Sequence, residues 1–198
     1  FLSWRPGSPS DLWLMNMQTQ ASALLAPGKD DQFFPTWMPD NRRVLTAIGR
    51  GPVRRMGRID IDTRQTEEVK GLPSEMANMA LSPDGRDLAY HVTNPGGGLA
   101  AWRVPATGGA PSRLTPAGRS AGDPAWSPDG QLIALEVDDE GTTQIWVVNR
   151  DGSNFRRVTS SVGQHWPHSW APDNDRIVFA GERKGVWNLW TVSASTGQ

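Results

Sequence analysis

Cysteine is absent from the 198 residues, which excludes disulfides, thiolate metal ligation and a cysteine nucleophile. No run approaches the roughly 20 apolar residues that cross a bilayer as a helix, so no membrane span is expected. The opening FLSWRPG has neither the basic nor the apolar region of a secretion signal. Excess charge of either sign is also lacking: 20 Lys and Arg stand against 21 Asp and Glu, for a formal net charge of −1. No whole-chain field would therefore gather nucleic acid or an anionic surface. The string GRSAG (118–122) matches G-x-S-x-G in letters alone, since a nucleophile elbow is a strand-to-helix turn served by acid and histidine partners, and no catalytic residue of a serine hydrolase is expected within the chain.

What is abundant is tryptophan, 10 residues, together with 21 glycines and 16 prolines. Turn formers at this density predict many short strands. TWMPDNRRVLTA, MALSPDGRDLAYH, AWSPDGQLIALE and SWAPDNDRIVFA each place an apolar residue, a Pro-Asp turn and an apolar strand in succession. Trp37, Leu81, Trp126 and Trp170 lie 44, 45 and 44 residues apart. The turns are Pro39-Asp40, Pro83-Asp84-Gly85, Pro128-Asp129-Gly130 and Pro172-Asp173. A second column runs through Trp13, Trp102, Trp146 and Trp190, with Asp60 read as its exception. A third joins SRLT (112–115) to RRVT (156–159).

Proline presets φ for the first turn position, and Asp-Gly or Asp-Asn tolerates the positive φ of tight hairpins. Each unit therefore reads as strand, turn, strand, variable loop, strand, turn, strand, a four-stranded antiparallel sheet. Apolar residues on consecutive positions, as in QIWVVN and RIVFA, are expected where both faces are covered by other sheets. A helical solenoid of similar period would not tolerate Pro-Asp-Gly in every unit. The fold class expected is all-β, a β-propeller of four-stranded antiparallel blades. Complete units are placed at 33–71, 76–117 and 122–161, with partial blades at 1–28 and 165–198. Because propellers hide their edge strands by closure, the whole of 1–198 is read as one segment of a larger propeller, cut inside a blade at both ends.

The run from Trp126 to Ala134, followed by Gln144 to Asn149, Asp151-Gly152-Ser153 and Arg156 to Thr159, resembles the TolB-type, WD-like propeller repeat. The resemblance implies a noncatalytic scaffold that binds a protein or peptide at its loops or channel mouth, without cofactor, in a periplasmic or other extracytoplasmic setting. The same blade precedes the catalytic domain of prolyl-oligopeptidase-type serine peptidases and forms sensor domains of bacterial kinases and regulators, which gives two alternative roles. The matched residues are turn formers and blade-packing aromatics. Met38 and Ala171 depart from the pattern where serine is usual.

Beyond the repeat, His165 and His168 in GQHWPHSW are candidate channel-mouth contacts. A metal site would need further ligands than this pair offers, and none is expected. Glu136, Asp138, Asp139 and Glu140 lack the spacing of a calcium loop and read as a solvated hairpin tip. Arg42, Arg43, Arg50, Arg54, Arg55 and Arg58 crowd one blade; without interleaved aromatics they suggest a protein-contact surface, with no nucleic-acid partner. Gly96-Gly97-Gly98 leads into a strand, so it reads as a hairpin and not a phosphate cradle. Trp4, Trp166 and Trp187 fall outside the two aromatic columns.

Overall fold

A computed structural model describes residues 1–3, 9–51, 53–160 and 163–198, the side chains of 167 and 168 excepted, and all regular structure within them is β. The chain forms two compact units, residues 1–76 with 106–109, and residues 77–105 with 110–198. The first unit holds a sheet of β1 (Leu2–Ser3), β2 (Asp11–Met15) and β3 (Ser22–Ala26). It also holds a sheet of β4 (Asp31–Trp37), β5 (Arg43–Gly49), β6 (Arg55–Asp60) and β7 (Thr66–Val69). The second unit holds three sheets. One is β8 (Ala77–Leu81), β9 (Asp87–Thr93), β10 (Leu99–Pro105) and β11 (Ser112–Arg113). The next is β12 (Ser120–Trp126), β13 (Leu132–Asp139), β14 (Thr142–Asn149) and β15 (Arg156–Arg157). The last is β16 (His165–Trp170), β17 (Arg176–Arg183) and β18 (Val186–Ser193). Sequential strands pair antiparallel throughout, so each sheet is a meander, the blade that the repeat predicts.

The turn between the first two strands of a blade is built in two ways. In Ser82-Pro83-Asp84-Gly85, the Ser82 hydroxyl donates to Asp84 Oδ1 at 2.6 Å and accepts from the Asp87 amide at 3.0 Å. Ser127 does the same with Asp129 and the Leu132 amide, at 2.6 and 2.9 Å. Where Met38 and Ala171 replace the serine, an arginine takes over. Arg43 and Arg176 reach back to Asp40 Oδ2 and Asp173 Oδ2, while the aspartates accept the amides of Arg43 and Arg176 at 3.1 and 2.9 Å. Asn41 and Asn174 fill the glycine place at φ of 56° and 63°, a conformation that asparagine tolerates better than most side chains.

The hydrophobic cores lie between consecutive sheets. In the second unit Ala89, Ala101 and Leu114 pack with Ala121, Trp126, Ile133 and Leu135. Further along, Ala134, Ile145, Val147 and Val158 pack with Trp170, Ile177, Phe179 and Val192. In the first unit Leu12, Leu25 and Ala26 meet Val44 and Ile59. Trp126 and Trp170 are each 9% exposed, and their indole N–H groups donate to Ala80 O at 3.0 Å and Ala125 O at 2.9 Å, the same position in successive blades. Trp37, in the first unit, is 50% exposed.

Strand register corrects the second aromatic column. Tyr90 pairs with Trp102, Leu135 with Trp146 and Phe179 with Trp190, and the corresponding pair in the blade of β4–β7 is Thr46 with Gly57. The exception to the column is therefore Gly57, not Asp60. A Cβ on Gly57 would stand 2.3 Å from Ile48 Cδ1, so the isoleucine occupies space that a side chain here would need. Asp60 instead occupies the place of Pro105, Asn149 and Ser193, and caps its turn by accepting the amides of Asp62 and Thr63 at 3.0 and 2.8 Å. Asn16 does likewise for Gln18 and Thr19. The remaining members of the column are half-buried, and arginines lie over three of them: Arg113 over Trp102, Arg119 over Trp146 and Arg183 over Trp190, at 5.9, 5.2 and 3.7 Å.

Candidate functional site

The first strand of each blade from β4 onward is interrupted by a β-bulge, between Phe33 and Thr36, Ala77 and Ala80, Gly122 and Ala125, and Pro167 and Ser169. At three of these bulges the residues Phe34, Asn78 and Asp123 take left-handed φ angles of 51°, 42° and 47°. That conformation costs an L-residue about 1–2 kcal/mol and persists only where the surrounding structure over-determines it, commonly at functional positions. Bulges also re-aim side chains out of the regular alternation of a strand. One backbone device thus recurs blade by blade and presents different chemistry each time. Pro167 holds the corresponding place in β16, three residues before Trp170, and His168 follows it; the side chains of both lie outside the described residues.

In the second unit two of these bulge residues join a polar cluster. The Asn78 carboxamide donates to Asp123 Oδ1. The Asp123 amide donates to His91 Nδ1 at 3.2 Å, and Glu136 of β13 stands opposite Gly122, the residue before Asp123. Gly122 makes the approach possible, since a Cβ there would lie 2.8 Å from His91 Nδ1 and 2.6 Å from Leu99 Cδ1. Burial pushes the Glu136 carboxyl up to about 8, and the neighbouring Asp123 charge adds to the effect. Burial lowers His91, against the opposing pull of Asp123. Among the described residues no three His, Asp or Glu side chains are placed to hold a metal ion.

The other sequence candidates resolve individually. His165 is fully buried, its Nδ1 3.2 Å from Thr143 O and its ring 5.3 Å from that of Phe179, so it presents no surface to a partner in this structure. The acidic run is not a uniform solvated tip. Glu136 is partly buried, Asp139 is clamped by Arg119 and Arg157 at 2.7 and 3.1 Å, and only Asp138 and Glu140 are exposed. The basic blade is locally neutralised: Arg42 pairs with Asp62, Arg43 with Asp40, Arg55 with Asp30 and Arg58 with Glu67. Arg50 bonds Lys29 O, and Arg54 stacks 4.2 Å over Phe33. Trp4 lies outside the described residues. Trp166 and Trp187 form an exposed pair with ring centroids 4.6 Å apart, a surface that the repeat columns did not anticipate.

The family described as TolB beta propeller domain matches residues 117–198. These residues carry the TolB-type propeller repeat. The TolB likeness extends further in structure: TolB from Acinetobacter baumannii superposes with a TM-score of 0.78 over 100% of this chain and 50% of that one, at 17% identity. A puromycin-hydrolyzing peptidase from Mycobacterium tuberculosis gives 0.72 over 98% of this chain and 37% of that one, at 16% identity. At such identities the likeness shows the β-propeller fold. In sequence, the uncharacterized peptidase YuxL of Bacillus subtilis is 26% identical over 137 residues, 69% of this chain and 20% of that protein. The chain therefore spans half or less of the length of each of these relatives. Among the described residues no helix is long and apolar enough to cross a membrane.

Proposed function

We propose that the chain acts as a noncatalytic TolB-like propeller segment that binds a protein or peptide through preformed backbone geometry. The observation that carries this reading is the recurring first-strand bulge, which holds Phe34, Asn78 and Asp123 in one left-handed conformation while their chemistry differs. A fixed frame presenting variable side chains is how rigid scaffolds encode specificity. Asn78 is exposed, and Phe34 and Asp123 are partly so. Cross-linking pull-down from an envelope extract tests it: a discrete partner is expected with the unaltered chain, and its recovery should fall at least about tenfold with Phe34→Ala and Asn78→Ala. Equal recovery by both variants, or peptidase activity in the chain itself, would sink the reading.

A second reading, the substrate-gating propeller of a larger prolyl-oligopeptidase-like peptidase, is supported by the 26% identity with YuxL. A serine-hydrolase domain encoded beside this segment in its gene would favour the second reading over the first.

A further inference from the structure

In the blade of β4–β7 the arginines end on acceptors of their own, with one exception. Arg42, Arg43, Arg55 and Arg58 meet carboxylates, and Arg50 gives both Nε and Nη2 to Lys29 O. Arg54 forms no ion pair among the described residues. Its guanidinium carbon lies 4.2 Å from the ring centroid of Phe33 and 5.6 Å from that of Phe34. Its one side-chain hydrogen bond runs from Nη1 to Met76 O at 3.4 Å. Nε is buried without an acceptor, and Nη2 makes no hydrogen bond among the described residues either. A partly buried cation without a counter-ion and a buried donor without an acceptor both cost stability, so the Nε–Nη2 edge calls for a function.

The bulge supplies the surroundings of that edge. Successive side chains of a regular strand point to opposite faces. The break in register between Phe33 and Thr36 and the φ of 51° at Phe34 interrupt this alternation. The rings of Phe33 and Phe34 consequently lie 6.0 Å apart, and both flank Arg54. Stacking on a ring occupies the flat face of a guanidinium and leaves its N–H edges for bonds in the plane. The Arg54 amide donates to Ser74 O at 2.9 Å, which fixes the backbone from which the side chain extends, and the preceding Val53 is 64% exposed. We infer that Arg54, Phe33 and Phe34 form a carboxylate-binding site, in which the Nε–Nη2 edge receives the two oxygens and the rings receive an adjoining apolar side chain. A planar carboxylate matches a single two-donor edge, whereas a phosphate would draw on further cations, and the other arginines of this blade are engaged. The inference rests on the peptide-binding reading above and adds the chemistry of the ligand, a carboxylate from a peptide C-terminus or from an acidic side chain beside an apolar one.

The test titrates the whole chain with three tripeptides: acetyl-alanyl-alanyl-phenylalanine, its C-terminal amide, and acetyl-alanyl-aspartyl-phenylalanine amide. The readout is the Arg54 Nε–Hε NMR signal, assigned through its bonds to the Arg54 backbone. The free acid should shift this signal and bind about 10- to 100-fold more tightly than its amide, the worth of hydrogen bonds to a charged group. An aspartyl amide that binds as well as the free acid supports the site and assigns it to acidic side chains; weaker binding assigns it to peptide C-termini. Arg54→Lys, which keeps the charge and loses the fork, should weaken binding of the free acid by at least about tenfold. Equal affinity for acid and amide, or a signal that neither moves, overturns the carboxylate site, while the scaffold reading is decided separately by recovery of its partner in the pull-down. Should Arg54→Lys not fold, the comparison of acid with amide on the unaltered chain decides alone.

Discussion

Replacing Trp126 by phenylalanine keeps an aromatic ring in the core shared with Ala89 and Leu135 and deletes one hydrogen bond, the indole N–H to Ala80 O at 3.0 Å. The carbonyl left behind loses its partner at a seam that is mostly apolar, a loss of about 1–2 kcal/mol. Trp126→Ala adds the transfer term of a side chain only 9% exposed and the cavity it leaves, together about 3–5 kcal/mol. Trp37 holds the corresponding place in its blade but is 50% exposed, so Trp37→Ala forfeits only part of the transfer term and opens no sealed cavity, about 1 kcal/mol. Urea unfolding followed by far-ultraviolet circular dichroism should therefore order the midpoints as unaltered chain, then Trp37→Ala close to Trp126→Phe, then Trp126→Ala well below both. The gap between the two alanine variants, at least about 2 kcal/mol, is roughly a factor of 30 in the folding equilibrium. If Trp37→Ala proves as damaging as Trp126→Ala, or if Trp126→Phe leaves the midpoint unmoved, the assignment of blade stability to the seam tryptophans is wrong.

Gly57→Ala should destabilise by about 1–3 kcal/mol through overpacking, because its Cβ would meet Ile48 Cδ1 at 2.3 Å and Thr66 Cγ2 at 3.1 Å; shortening the neighbour in Gly57→Ala/Ile48→Val should recover part of the loss in the same unfolding assay. Ser127→Ala removes a hydroxyl that serves both Asp129 and the Leu132 amide and should cost about 1–2 kcal/mol, read as a lowered urea midpoint. The only tyrosine, Tyr90, is 2% exposed and its hydroxyl is pushed up to about 12 by burial. Since the raised value belongs to the folded state, stability is lost as pH rises from the ordinary value of 10 through about 12. Near-ultraviolet absorbance should accordingly show phenolate appearing only near 12 or together with unfolding, and a titration at the ordinary value would contradict the burial.

Blade architecture was legible because turn chemistry is local. Proline, aspartate and then glycine or asparagine stand in fixed order at these four tight reversals, so the turns align without knowledge of any contact. The second aromatic column was legible only where the tryptophan is present. At Gly57 the space is used by Ile48, a residue from the adjacent strand, and sequence alignment drifted to Asp60, whose role is to cap a turn. The bulges were not legible for a related reason. Asparagine and aspartate at 78 and 123 are types that tolerate a left-handed backbone, but Phe34 is not, and the conformation is imposed by pairing with the second strand. Glu136 looked like the start of a solvated run. Its neighbour across the pair is Gly122, and only the fold brings Asp123 alongside.

The seam tryptophans also give the blades a direction. In the second unit Trp126 reaches back to Ala80 and Trp170 reaches back to Ala125, so each indole is received by a carbonyl that precedes it in the chain. A blade emerging during synthesis finds its acceptor already made, whereas an earlier blade waits on nothing downstream for this bond. Assembly can thus proceed vectorially, one blade templating the next in the order of translation.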